Sequence, residues 1–245
     1  MLPRSVQSAF DRAETPPSPD ASEPSGILSA LECRYIALEG PAGVGKGTLA
    51  ARLASRLDAA LVLDETDSNP FLGEDHVGRP GSAFQAQLFC LLGRHRQQVT
   101  LRQGDLFSHA TVSDYLFDKD KIYAFQTLDD NELFIYQRLY DLLARDVPLP
   151  DLVVCLQAPT DVLRRRLKEH VRQHAEGAQR GLVLNRLPEL NEAFNHFFFH
   201  YTATPLLVVE TSQIDLAWPD AALDDLLRQI QHMHGGKQYY VPRNA

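Results

Sequence analysis

The segment Gly40-Pro41-Ala42-Gly43-Val44-Gly45-Lys46-Gly47-Thr48 sets glycines, a lysine and a hydroxyl at the spacing of a phosphate cradle. Glycines let the backbone turn tightly enough for successive N–H groups to converge on one anion, and a following helix N-terminus adds positive potential. Lys46 stands where an ammonium reaches the terminal phosphates of a nucleotide. Gly40, Ala42, Gly43, Val44, Gly45, Lys46, Gly47 and Thr48 are therefore the expected ATP-binding residues. The position after such a lysine is normally Ser or Thr, whose hydroxyl ligates Mg²⁺. Here it is Gly47, and the next hydroxyl belongs to Thr48.

Two carboxylates join this loop. Glu65 closes the run Leu61-Val-Leu-Asp-Glu65, and Asp114 closes Ala110-Thr-Val-Ser-Asp114. One carboxylate can orient or deprotonate an attacking hydroxyl, and another can hold Mg²⁺. Either acid alone reads equally well as a cap or a solvated loop residue. Their placement at the ends of successive strands favours chemistry. A basic face, Arg164, Arg165, Arg166, Lys168 and Arg172, offers further positive charge. His196 and His200 lie four apart, a spacing compatible with Zn²⁺. With no third ligand evident beside Phe197-Phe198-Phe199, packing is the better reading.

The elements that must hold these groups follow from hydrophobic periodicity. Apolar runs at 34–39, 61–65, 110–114, 151–157 and 205–210 read as strands. Segments 49–57, 83–101, 118–127, 129–145, 159–174, 187–201 and 220–234 read as helices, with a polar, glycine-containing stretch at 175–181. Strands alternating with helices predict an α/β fold of three layers, a five-stranded parallel sheet flanked by helices. Ligands in such a sheet bind beyond the carboxyl ends of the strands, where the loop, Glu65 and Asp114 meet.

Residues 1–31, with Thr-Pro-Pro-Ser-Pro at 15–19 and Ser-Glu-Pro-Ser-Gly at 22–26, read as a disordered tail before one domain over 32–245. The tail lacks the basic start and apolar core of a signal peptide. A formal net charge of −8 argues against a nucleic-acid polymer or an anionic membrane as main partner. No apolar run approaches the ~20 residues of a membrane span. Cys33, Cys90 and Cys155 lie far apart and read as reduced thiols, which points to the cytoplasm.

From Arg34 to about Pro242 the chain resembles the deoxynucleoside kinases, especially their bacterial deoxyadenosine/deoxyguanosine-kinase-like branch. Glu65-Thr-Asp-Ser-Asn-Pro-Phe-Leu72 is similar to the family's E-P-x-x-N-P-[FY]-L segment, with Thr66 in place of the proline. Ala83-Phe-Gln-Ala-Gln87 followed by Arg94 resembles its base-reading helix, and 164–172 its arginine-rich lid. The closing Gln238-Tyr-Tyr-Val-Pro242 resembles the bacterial branch as well. The resemblance implies a P-loop kinase fold with a short basic lid that moves the γ-phosphoryl group of ATP to a deoxynucleoside 5′-hydroxyl. It implies Glu65 as base, Gln87 and Arg94 as substrate-reading residues, Asp114 near Mg²⁺ and the 5′-hydroxyl, and Arg166 and Arg172 as lid arginines. It also implies a small-molecule partner, a homodimer and, at family level, a purine preference.

Three positions depart from that pattern. Gly47 replaces the metal-binding hydroxyl, His170 replaces the middle lid arginine, and Asp114 is followed by Tyr115 where the family carries arginine. Asp118 and Asp120 both remain candidates for the base-reading acid. A nucleoside monophosphate kinase, whose adenylate-kinase members share the G-K-G-T order, is the alternative enzyme. A catalytically weak ATP-binding sensor is the alternative outside catalysis.

Overall fold

The structure, a computed structural model, describes residues 33–72, 79–102, 110–174, 178–214, 216–233 and 235–242. The N-terminal tail expected at 1–31 lies outside the described residues.

Among the described residues six strands form one sheet: β1 (Tyr35–Glu39), β2 (Ala60–Val62), β3 (Thr111–Ser113), β4 (Leu152–Gln157), β5 (Leu206–Glu210) and β6 (Lys237–Tyr240). Their order is β2-β3-β1-β4-β5-β6, and every neighbouring pair is parallel. The five-stranded expectation is therefore corrected to six. β6 is the short edge segment Lys-Gln-Tyr-Tyr, with no buried residue and no apolar run. Its pairing with β5 is a tertiary event that local pattern does not announce.

The central strands β1, β4 and β5 are buried on both faces, which is why they read as continuous apolar runs. Ile36, Leu38, Val154, Leu156, Leu207 and Val209 point to one core, shared with α1 (Lys46–Leu57) and α7 (Asp220–Gln231). Ala37, Val153, Cys155, Leu206 and Val208 point to the other, where Phe194 and Phe198 of α6 (Ala178–His200) pack. A third cluster joins α2 (Ser82–Arg102), α3 (Lys119–Thr127) and α4 (Asp130–Leu143) through Leu91, Ala124, Tyr136 and Tyr140. α5 (Thr160–His174) completes the helices.

α6 begins at Ala178, earlier than the expected Leu187, and carries Pro188 inside it. Leu184 and Leu187 pack into the larger core, so burial draws this stretch into helix. Residues 175–177 of the expected interruption lie outside the described residues.

Candidate active site

The turn from β1 into α1 is built for close approach. Gly45 has φ 94°, a left-handed value that strains residues bearing a Cβ. A Cβ at Gly40 would fall 2.3 Å from the carbonyl oxygen of Leu156, a clash with backbone of the neighbouring strand. Gly40 and Val44 are buried, whereas Gly47 and Thr48 are exposed at the start of α1. Lys46 Nζ donates to the carbonyls of Gly40 at 2.6 Å and Pro41 at 3.3 Å. Its ammonium thus lies over the loop that the sequence marks as a phosphate cradle.

The last residue of β1 was not singled out beforehand. Glu39 is fully buried, where Oε1 accepts the Gly40 N–H and Oε2 the Leu116 N–H, both at 2.9 Å. It ties the phosphate loop to the segment after β3, and its Oε1 stands 4.0 Å from Lys46 Nζ. Burial pushes the Glu39 carboxyl up, against the pull of Lys119 and Lys46. Burial and the nearby Lys119 charge bring Lys46 down to about 8, against the opposing pull of Glu39, Asp114 and Asp64.

β2 stops at Val62, so Asp64 and Glu65 sit beyond its carboxyl end, Glu65 at the entrance to a 3-10 turn over Thr66–Ser68. Asn69 fastens this turn to α2, donating to the Ala86 carbonyl at 2.9 Å and accepting from Phe71 N–H at 3.0 Å. The Asn-Pro signature thus has a local cause: a buried amide bridging loop and helix.

Asp64, also unremarked from the sequence, is the centre of the charge network. Arg94 Nε donates to its Oδ1 at 3.1 Å and an Arg94 terminal nitrogen to its Oδ2 at 2.9 Å, while Lys119 Nζ donates to Oδ2 at 2.8 Å. Burial favours the neutral acid, but Lys119 and Arg94 outweigh it and hold the carboxyl far below the usual range. The same Arg94 pairs with Asp120, which is fully buried and also accepts the Tyr136 hydroxyl at 2.7 Å. Gln87 Nε2 donates to the Asp120 backbone carbonyl at 2.9 Å.

Of the two candidate base-reading acids, the fold brings Asp120 to Gln87 and Arg94. Asp118 instead accepts from Lys121 and the Tyr140 hydroxyl. The ambiguity in sequence came from a shifting register across the turn into α3, which the bonds from Gln87 and Arg94 of α2 to Asp120 fix.

Asp114, just beyond β3, accepts the Asp64 N–H at 2.7 Å through Oδ1. A Cβ at Gly47 would lie 3.7 Å from its Oδ2, so the carboxylate faces the start of α1. Burial raises the Asp114 carboxyl, with the neighbouring Asp64 charge adding to it and Lys119 opposing. The next residue, Tyr115, is fully buried, its hydroxyl donating to Gln97 Oε1 at 2.9 Å.

The lid arginines separate. Arg166 donates to the carbonyls of Thr211 at 2.5 Å and Ile214 at 3.1 Å, bracing α5 against the loop after β5. Arg172 is 79% exposed, with Glu169 at 3.9 Å. Arg164, Arg165 and Lys168 are exposed as well.

A cavity of about 340 Å³ opens between the Asp64–Ser68 segment and α2, lined by Glu65, Phe89, Arg94 and Arg96 among others. Asp64 and Arg94 of the charged cluster line it, whereas Gln87 and Asp120 do not. His196 and His200 lie 4.8 Å apart between ring centroids, with their rings tilted by 58°. Among the described residues no group of three His, Cys, Asp or Glu side chains is arranged to hold a metal, and no helix is long and apolar enough to cross a membrane.

Comparison with known proteins identifies the family and the fold. A family model described as deoxynucleoside kinase matches residues 36–234. The chain is 29% identical over 143 residues to the deoxyguanosine kinase of Bacillus subtilis (strain 168), an alignment covering 56% of this chain and 67% of that one. It is 27% identical over 187 residues to a deoxyadenosine kinase of Dictyostelium discoideum, covering 75% of this chain and 74% of the other. The solved structure of deoxyadenosine kinase from M. mycoides with bound dATP superposes with a TM-score of 0.64 at 19% identity, over 80% of this chain and 98% of that one. That superposition speaks to the fold alone, whereas the family match spans nearly all of the ordered sheet and its helices. On that match, the chain belongs to the deoxynucleoside kinase family.

Proposed function

We propose that this chain phosphorylates purine deoxynucleosides at the 5′-hydroxyl, with Mg·ATP as donor and Glu65 as the group that orients and deprotonates the acceptor. The purine preference draws on the relatives, which are a deoxyguanosine and a deoxyadenosine kinase. It also draws on the Gln87, Arg94 and Asp120 cluster, where an amide, a guanidinium and a carboxylate together match a base edge carrying both donors and acceptors.

The observation that carries the role of Glu65 is how the carboxylates are already used. Asp64 is held ionised by two cations, Asp120 is paired with Arg94, and Glu39 is bonded to two backbone amides. A buried carboxylate whose oxygens are so occupied is not presented to an incoming hydroxyl. Glu65 is the exposed member of this group, at the mouth of the site. In charge terms, Arg94, Lys119 and Lys46 balance Asp64, Asp120 and Glu39, which leaves Asp114 over.

Asp114 suits Mg²⁺ for that reason. Its carboxylate and the Thr48 hydroxyl are hard oxygen donors, and Mg²⁺ is usually held by one or two carboxylates plus water and phosphates. The space between Gly47 and Asp114 fits this donor set, with no protein hydroxyl at position 47. Bound there, the ion would neutralise charge on the phosphates. Lys46 and the loop amides hold the triphosphate, Arg172 adds charge from the end of α5, and Arg166 braces the loop at 211–214.

The test is transfer from γ-labelled ATP to the four deoxynucleosides, with wild type and Glu65→Gln. Deoxyadenosine or deoxyguanosine should be phosphorylated, and the variant should lose roughly 10²–10⁴ in kcat while still binding ATP. Transfer only to pyrimidine deoxynucleosides overturns the purine assignment. Transfer only to monophosphates would replace the acceptor class, and an undiminished Glu65→Gln rate would remove Glu65 from its role.

A further inference from the structure

We propose that Lys119 is a second phosphoryl-binding cation, meeting the transferred group from the acceptor side while Lys46 meets it from the donor side. The inference rests on the kinase reading above and adds a residue that neither the loop motif nor the lid supplies.

Lys119 is the first residue of α3 and is 8% exposed, an unusual place for an ammonium. Its Nζ donates to Asp64 Oδ2 at 2.8 Å. Arg94 also reaches both Asp64 oxygens, at 3.1 and 2.9 Å, so Lys119 is not the sole cation holding that carboxylate. An ammonium carries three N–H donors, so a single bond to Asp64 leaves capacity for another acceptor.

Its backbone fixes which way it serves. Lys119 N–H donates to the Leu116 carbonyl at 3.0 Å, and Leu116 N–H donates to Glu39 Oε2 at 2.9 Å. Glu39 Oε1 holds Gly40 N–H at 2.9 Å and stands 4.0 Å from Lys46 Nζ. On its other flank Lys119 meets Asp64, the neighbour of Glu65, and the Asp64 N–H binds Asp114. Lys119 therefore stands between the phosphate loop and the acceptor carboxylates.

Two ammonium groups are thus gathered about carboxylates at the ends of β1 and β2. Like charges brought together away from water repel, and an anion between them turns that repulsion into attraction. The γ-phosphoryl group moving from loop to acceptor is such an anion, and fixed positive charge where its charge develops is the main lever on this transfer.

The experiment compares binding of deoxyadenosine with that of deoxyadenosine 5′-monophosphate by calorimetry, in wild type, Lys119→Met, Lys119→Arg and Asp64→Asn/Lys119→Met. Loss of a charge-assisted contact should weaken the monophosphate by roughly tenfold or more in Lys119→Met, with deoxyadenosine changed less than about threefold. Lys119→Arg should keep the preference for the phosphate. The double variant removes both ends of the ion pair, guards against a folding failure of the single one, and should show the same loss of phosphate discrimination. Equal weakening of both ligands, or unchanged monophosphate binding, overturns the proposal. Absence of turnover in wild type would instead strike the kinase reading, while the affinity ratio still decides for or against Lys119.

Discussion

Arg94 grips Asp64 through two parallel bonds, Nε to Oδ1 and a terminal nitrogen to Oδ2, with side chains only 5% and 11% exposed. A planar guanidinium meeting a carboxylate this way gives direction as well as charge, which lysine would not reproduce. The pair joins the turn after β2 to α2, tying the Asp64–Glu65 segment to the helix that carries Gln87.

Breaking it should be costly. Asp64→Asn leaves Lys119 buried with less compensation and should lower stability by about 3 kcal/mol, read from chemical denaturation. The pH dependence follows from the depressed Asp64 pKa. Its stabilisation is complete above the unfolded-state value of ~3.9 and is lost as pH falls further toward the folded-state value. The variant should therefore show a shallower loss of stability below pH ~4 than wild type. Equal acid slopes would remove Asp64 from the account.

Gly47→Ser restores the hydroxyl that similar loops carry. A Cβ there makes only ordinary contact with Asp114 Oδ2, at 3.7 Å, and its backbone is helical, so the substitution fits. Stability should rise by roughly 0.5 kcal/mol, as for glycine replacement inside a helix. Half-maximal activity should move several-fold to lower Mg²⁺, about what one added ligand gives. An unchanged Mg²⁺ dependence would mean that Asp114 does not mark the metal position.

Burial, with the Lys119 charge adding to it, brings Lys46 down to about 8, against the pull of Glu39, Asp114 and Asp64. Protonation favours a polyanion, so affinity for ATP should fall as pH rises through that value. Below it the change should be small. Proton uptake on binding near pH 8, seen as a calorimetric enthalpy that depends on the buffer, is the direct check. A flat profile between pH 7 and 9 would count against a titrating Lys46.

Arg166 and Arg172 should part company. Arg166 donates to the Thr211 and Ile214 carbonyls, so Arg166→Ala should lower stability by about 1–2 kcal/mol. Arg172→Ala, at an exposed position, should leave stability within about 0.5 kcal/mol while reducing kcat. Thermal unfolding beside steady-state kinetics separates the two. Reversed effects would exchange their roles.

The sequence by itself determined the architecture, because central strands buried on both faces must be apolar and the helices must repeat with helical period. It also determined the phosphate loop, where glycine spacing is a backbone requirement, and it named Glu65, Gln87, Arg94 and Asp114 through spacing and likeness. β6 escaped it, since a four-residue edge strand needs a partner more than a pattern. Only the tertiary structure brings Asp120 rather than Asp118 to Arg94, because the packing of α3 against α2 turns that one carboxylate inward. Only the tertiary structure could reveal Glu39, Asp64 and Lys119 as a working set. Each is an ordinary charged residue in its own segment. Their meaning comes from being removed from water together, where charges that chain order keeps apart must compensate one another or not be buried at all.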